Sequence, residues 1–293
     1  MGQYGLAGLL EREGFVRDVM LSAAAAGVQI EQVHPEYGAS QFEISLSPLS
    51  PVAAADQLVL ARIVVAMAAR RHGLRVSLSP VPFADGVGSG AHQHFSFTRT
   101  GSSDALFSGG SGAAGMTAAG ESAVAGVLNG LRQAQGVLCG SIVSPLRMRP
   151  GNWAGSYVCW GVENREAAVR FVKSGAGGTR GANFQVKVID PSANPYFSSA
   201  AVLGLALDGI DRGAELPTET TADPALLSGM EPLRLLGSQP DAIAALDDSE
   251  LLRRILGDTA VDAVVAVRRM EAERYGALAP EEIADKFRMA WSL

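Results

Sequence analysis

Gly86-Val87-Gly88-Ser89-Gly90-Ala91-His92-Gln93-His94-Phe95-Ser96-Phe97 passes from a glycine-rich turn directly into an alternating segment, and it carries two of the chain's four histidines. Glycines at 86, 88 and 90 can take positive φ and let the backbone approach a ligand closely. Beyond them a period of two sets His92, His94 and Ser96 on one face of a strand, with Gln93, Phe95 and Phe97 on the other. Two imidazoles and a hydroxyl in one row suit metal ions and phosphate oxygens. The same residues suit a polar edge strand after a flexible turn, and the stretch alone leaves both readings open.

The chain around it has 293 residues, enough to bury a sizeable core as one large domain or two smaller ones. It is 47% hydrophobic and 18% charged, ordinary values for a soluble globular protein. A net charge of −6 argues against nucleic acid as the main partner. Two cysteines, Cys139 and Cys159, make a disulfide framework improbable and fit a reducing, cytoplasmic setting. The first residues lack the pattern of a signal peptide. The apolar run Val52–Ala69 is interrupted by Asp56 and Arg62, so no membrane span is expected.

Periodicity predicts helices over Leu9–Gly27, from Ser50-Pro51 to Gly73, and over Ser122–Gly136 and Asn194–Ile210. Further helices are predicted at Asp241–Leu246, Ser249–Leu256, Thr259–Tyr275 and Pro280–Met289. Strands are predicted at Val28–Val33, Gln41–Leu46, Leu74–Leu78, Tyr157–Trp160, Ala168–Val172 and Phe184–Ile189. Residues 98–120 read as a surface excursion, Lys173–Ala182 as a flexible glycine-rich segment, and Ala214–Pro240 as loop. The order is mixed α+β, with hairpins as well as crossovers feeding the sheet.

Two groups of residues could carry chemistry. Glu36 and Glu43 flank a turn, and Glu43 lies within an otherwise apolar strand, where a carboxylate needs a cation or a hydrogen-bond partner. Such oxygens suit Mg²⁺ or Mn²⁺, and surface glutamates on a hairpin are the bland alternative. From 147 to 187 an acidic chain becomes basic, with Arg147, Arg149, Arg165, Arg170, Lys173, Arg180 and Lys187 against Glu163 and Glu166. Guanidinium groups clamp phosphate and carboxylate oxygens and stabilise charge in phosphoryl transfer; a solvated basic face is the alternative. There is no Walker-type loop, dinucleotide fingerprint, CxxC pair or G-x-S-x-G elbow.

Four ordered motifs resemble the catalytic domain of glutamine synthetase. They are His34-Pro-Glu-Tyr-Gly-Ala-Ser-Gln-Phe-Glu43, Gly88-Ser-Gly-Ala-His-Gln-His94, Trp160-Gly-Val-Glu-Asn-Arg-Glu-Ala-Ala-Val-Arg170 and Asp190-Pro-Ser-Ala-Asn-Pro-Tyr196. The resemblance runs from about residue 10 to the C-terminus. It implies an α+β fold: a largely antiparallel, curved sheet flanked by helices, with a helical C-terminal region. It also implies a ligase of nitrogen metabolism that phosphorylates a glutamate-like γ-carboxylate with ATP and then joins it to an amine. Glu36 and Glu43 match carboxylates of one of two Mg²⁺ or Mn²⁺ sites, and His92 matches the imidazole of the other. Gly88, His92, Arg147 and Lys187 fall toward the acid substrate; His94, Ser96, Arg165 and Arg180 toward the nucleotide; Arg147, Arg165 and Arg170 toward catalysis. A homo-oligomeric ring is the assembly implied.

The departures shape the expectation. Gln185 stands where the family carries a glutamate metal ligand, so a second ion is expected to bind weakly. Lys187 stands for an arginine, Val87 for an asparagine, and Trp153 for the flap glutamate that deprotonates ammonium, which favours a larger amine. Residues 1–293 read as the catalytic domain without the family's β-rich N-terminal domain and first catalytic strand. A degenerate relative that binds nucleotide or metal, or acts through protein contacts, is the alternative.

Overall fold

The computed structural model describes residues 4–173, 181–227, 229 and 232–292. Residues 174–180, within the segment expected to be flexible and including Arg180, lie outside the described residues. Two compact units emerge, Met1–Ser89 with Ala279–Leu293, and Gly90–Leu278.

In the first unit the single helix expected over Leu9–Gly27 is two, α1 (Leu6–Glu11) and α2 (Glu13–Ala25). Arg12 leaves helical geometry at the junction (φ −121°, ψ 18°), and Gly14, a poor helix former, follows it. Gly27 closes α2 at φ 76°, and the Val28 N–H returns to the Ala23 carbonyl at 2.8 Å. Strands β1 (Ile30–Pro35) and β2 (Phe42–Leu46) pair antiparallel, with His34 opposite Glu43. Helix α3 (Pro51–Arg71) is by length and composition alone able to cross a membrane. Its Ala61 and Val64 pack with Ala23 and Val28 in this unit's core. Its buried Gln57 accepts from the Gln29 N–H and donates to the Ser47 carbonyl, tying the helix to the hairpin. Proline opens α3 as expected, but the Ser50 side chain makes no capping bond. Leu74–Leu78 is not a strand. There the Ser77 hydroxyl donates to the Arg288 carbonyl and accepts from the Ser79 N–H.

The second unit is built on a four-stranded sheet in the order β3 (Gln93–Phe95), β6 (Asn183–Val186), β5 (Ala167–Val172), β4 (Tyr157–Val162). The β3–β6 and β6–β5 pairs are antiparallel, and β4 joins β5 in parallel. Register lays His94, Gln185 and Arg170 side by side on one face. The alternate row, Phe95, Phe184 and Phe171, faces the core, where the Phe95 and Phe184 rings stack at 5.5 Å. One strip of sheet thus presents a polar face for chemistry and an aromatic face for stability.

Helices α4 (Ala118–Leu138) and α6 (Pro195–Asp211) back the sheet, capped by Thr117 and Asn194. Their axes come so close that a Cβ on Gly126 would sit 2.2 Å from the Leu205 carbonyl oxygen, and one on Gly209 2.2 Å from that of Ser122. Only glycine fits there. A short helix α5 (Ser144–Arg147) precedes β4, and α7 (Gln239–Asp247), α8 (Glu250–Leu256) and α9 (Asp258–Tyr275) follow α6. The last helix, α10 (Pro280–Phe287), returns to the first unit.

Candidate active site

The opening stretch behaves differently from its periodicity. Strand β3 holds only Gln93–Phe95, so His92 and Ser96 lie outside it and do not share a strand face with His94. None of Gly86, Gly88 and Gly90 takes positive φ. Gly90 is required for the other reason: a Cβ there would lie 2.4 Å from His92 Nε2 and 2.9 Å from an Arg147 nitrogen.

Arg147 ends α5 and is buried. It donates to the Lys187 carbonyl at 2.9 Å and the Val188 carbonyl at 3.1 Å, and lies 3.3 Å from His92 Nε2. The helix is pinned by an internal network. Ser144 donates to Asp190 at 2.6 Å and shares a bond with Ser141, and Asp190 also takes the Ser192 N–H and hydroxyl. Burial, more than any other influence, raises the Asp190 pKa, and Arg147 opposes that rise.

Lys187 follows β6 and is 4% exposed. Burial first, then Arg147, Arg170 and Arg165, push its pKa down to about 8, while Glu166 pulls it up. Arg170, on the polar face of β5, is bonded to Glu163. A patch of buried and half-buried cations, with Arg147 held by backbone carbonyls and Arg170 by Glu163, is therefore suited to anionic oxygens.

His92 sits among these cations. Burial and the charges of Lys187, Arg147, His94 and Arg170 hold its pKa well below the usual value, so it is neutral. Arginine can only donate, so Nε2 accepts and the proton is on Nδ1, 3.2 Å from the Gln185 amide. The amide oxygen belongs toward that proton. Both ring nitrogens are thereby occupied, and the strongest neighbouring charges are positive. The second-ion expectation for His92 and Gln185 does not fit this arrangement.

Glu36 and Glu43, expected at the first ion, lie together, and a third donor joins them. In the first unit the donor atoms of His34, Glu36 and Glu43 all lie within 4.8 Å of one another. His34 Nδ1 is 3.1 Å from the Pro35 carbonyl, which fixes its proton there and leaves Nε2 facing Glu43 at 3.7 Å. The motif contained His34, which the sequence reading did not single out as a candidate donor; its cross-strand pairing with Glu43 is the signal that could have done so. Gln41, on the same turn, donates to the Gly88 carbonyl at 3.1 Å, which holds the glycine loop within this unit.

The expected nucleotide residues are dispersed. His94 is exposed and bonded to Asn183 at 2.8 Å, and Ser96 is exposed beyond the strand. The Arg165 guanidinium lies over the Trp153 ring at 5.6 Å.

Residues 1–285 match the family model described as glutamine synthetase, catalytic domain. The chain belongs to this family. It is 43% identical over 291 residues to gamma-glutamylpolyamine synthetase GlnA3 of Streptomyces coelicolor, a match covering 97% of the chain and 62% of that protein. It is 30% identical to protein fluG of Emericella nidulans, across 90% of the chain and 29% of that protein. A solved glutamine synthase homolog superposes with a TM-score of 0.87 at 27% identity, over 98% of this chain and 66% of the other. GmaS in complex with ADP gives 0.83 at 25%, over 94% and 64%. The chain thus spans less than two thirds of the length of these relatives. The glutamine synthetase catalytic-domain fold expected from the motifs is the fold observed. Family members generally use ATP and divalent metal ions.

Proposed function

We propose that this chain is the catalytic part, residues 1–293, of an ATP-dependent ligase that joins the side-chain carboxylate of a glutamate-like acid to an amine larger than ammonia. The cationic cluster of buried Arg147 and Lys187 with half-buried Arg170 carries the reading, because anionic oxygens bound there would offset the cost of keeping these charges inside. A relative at 43% identity named as a gamma-glutamylpolyamine synthetase supports the amine class, as does Trp153 in place of an acidic flap residue.

On this reading Arg147 and Lys187 hold the acid's carboxylate oxygens, with neutral His92 beside them, and Gly88 is assigned to the same substrate. The carboxylate oxygen forms a bond to the γ-phosphorus of ATP as the bond to ADP breaks. The amine, as its free base, then bonds through nitrogen to the acyl carbon, phosphate leaves with the electron pair of the carbon–oxygen bond, and the nitrogen releases one proton to solvent. Arg170 stabilises the charge on the transferring phosphoryl group. His94, Ser96, Arg165 and Arg180 are assigned to the nucleotide phosphates, Arg180 lying outside the described residues. His34, Glu36 and Glu43 would hold one Mg²⁺ or Mn²⁺, which when bound neutralises phosphate charge. A cytoplasmic, homo-oligomeric enzyme fits the two free cysteines and the family.

The test is phosphate release from ATP with glutamate and Mg²⁺ or Mn²⁺ across a panel of amines. Release that depends on an organic amine and is lost in Arg147→Gln supports the reading. ATP hydrolysis indifferent to acid and amine overturns it.

A further inference from the structure

Within the second unit an open groove of about 410 Å³ lies beside the cationic cluster, and Trp153, Val162, Glu163, Arg165, Glu166 and Asp223 contribute to its wall. Three carboxylates face one guanidinium, the opposite balance to the cluster next to it. Glu166 is 6% exposed; one carboxylate oxygen accepts the Trp153 N–H at 2.9 Å, and the other is enclosed with no hydrogen-bond partner among the described residues. A buried carboxylate oxygen without a hydrogen bond is costly, and beyond its electrostatic interaction with Lys187 a cation in the groove would stabilise it.

The backbone here is strained in the same places. Trp153 and Glu163 are non-glycine residues held at φ 51° and 52°. Such conformations persist where the surroundings fix them. The Glu166 carboxylate fixes the first and the Arg170 pair accompanies the second. Trp153 thereby keeps 41% of its surface exposed, and it already carries the Arg165 guanidinium against its ring. An aromatic face beside carboxylates is the chemistry that recognises an organic ammonium. Val162 adds an apolar wall along which an alkyl chain can lie.

The groove also borders the residues assigned to the reaction. Glu163 is paired with Arg170, and Glu166 acts electrostatically on Lys187. We infer that this groove seats the distal ammonium of an alkyl diamine or longer polyamine, with Glu166, Asp223 and Trp153 selecting for the second positive charge. The inference rests on the ligase reading above for the role of the other amine as nucleophile.

The test compares diaminobutane with butylamine, which share a chain length and differ by one ammonium. Calorimetric binding to the protein without ATP should favour diaminobutane by about tenfold, the factor that about 1.4 kcal/mol confers. Glu166→Gln keeps an acceptor for the Trp153 N–H and should bring the two affinities close to parity. Asp223→Asn, a change in a loop, should reduce the preference without an effect on folding. The ratio of kcat/KM for the two amines should fall in the same order. Equal affinities in the parent, or a preference untouched by both variants, overturns the proposal. Binding preference without turnover of any amine would remove the ligase reading and leave the groove. Turnover without preference would remove the groove and leave the ligase.

Discussion

Lys187 should make the protein less stable than it need be. Its ammonium is 4% exposed, and its pKa falls from 10.5 to about 8, with burial the largest cause and three arginines adding to it. Each unit is about 1.4 kcal/mol, so keeping this charge inside costs the fold about 3 kcal/mol at neutral pH. Below pH 8 both folded and unfolded chains hold the proton and the whole penalty applies. Between 8 and 10.5 the unfolded chain binds more protons than the folded one, so stability rises with pH through that window and the penalty is gone above it. Lys187→Met, which keeps length and removes charge, should raise the urea midpoint at pH 7. The gain should shrink toward zero as pH approaches 10.5. The same variant should lose the acid substrate. In the parent, an anion bound at the cluster should restore the charge, so binding between pH 8 and 10.5 takes up a proton. Calorimetry in two buffers of different ionisation enthalpy reads this directly. A midpoint that does not rise in Lys187→Met, or anion binding with no proton uptake, would refute the claim that Lys187 is a cation held for a ligand.

Other consequences follow from the same geometry. Gly90→Ala places a methyl against His92 and Arg147, so it should cost about 1–3 kcal/mol in chemical denaturation and lower activity together with stability. Ser144→Ala breaks the bond to buried Asp190 and should cost about 1–3 kcal/mol by the same assay, with KM for the acid raised as α5 loosens. Glu43→Gln and His34→Ala should each weaken Mn²⁺ binding about ten- to a hundredfold in a spin-resonance titration, whereas an unchanged affinity would place the ion elsewhere. In the first unit the Arg71 bond, chiefly, lowers the Asp18 pKa from 3.8 to about 2. A depressed carboxylate stabilises above its unfolded pKa, so the difference in midpoint between parent and Arg71→Leu should be present at pH 5 or above and fade as pH falls toward 2.

Much of the fold was written in periodicity. The alternation around Phe171, Phe184 and Phe95 marked sheet residues with one apolar face, and the register puts Arg170, Gln185 and His94 together on the other. What periodicity does not encode is where a ladder stops. His92 and Ser96 keep the period of two but leave the strand, because His92 is drawn to Arg147 and Gln185, residues 55 and 93 positions away in sequence. Leu74–Leu78 looked apolar enough to pair, yet no ladder forms there. Glycines 86, 88 and 90 suggested left-handed turns, and the one the site depends on is there for room instead. The charge reading found the basic cluster from sequence because arginines are conspicuous in an acidic chain. It missed Glu166, whose significance is an unpartnered oxygen that no spacing reveals.

The fate of one oxygen atom tests carboxylate phosphorylation most directly. With glutamate labelled by heavy oxygen in its side-chain carboxylate, ATP, Mg²⁺ or Mn²⁺ and diaminobutane, phosphorylation of the carboxylate followed by amine attack must carry one labelled oxygen into the phosphate released. Mass spectrometry of that phosphate should show one label per amide formed, and none when the amine is omitted. Amide formation with unlabelled phosphate, or phosphate release with no amide, would contradict the account.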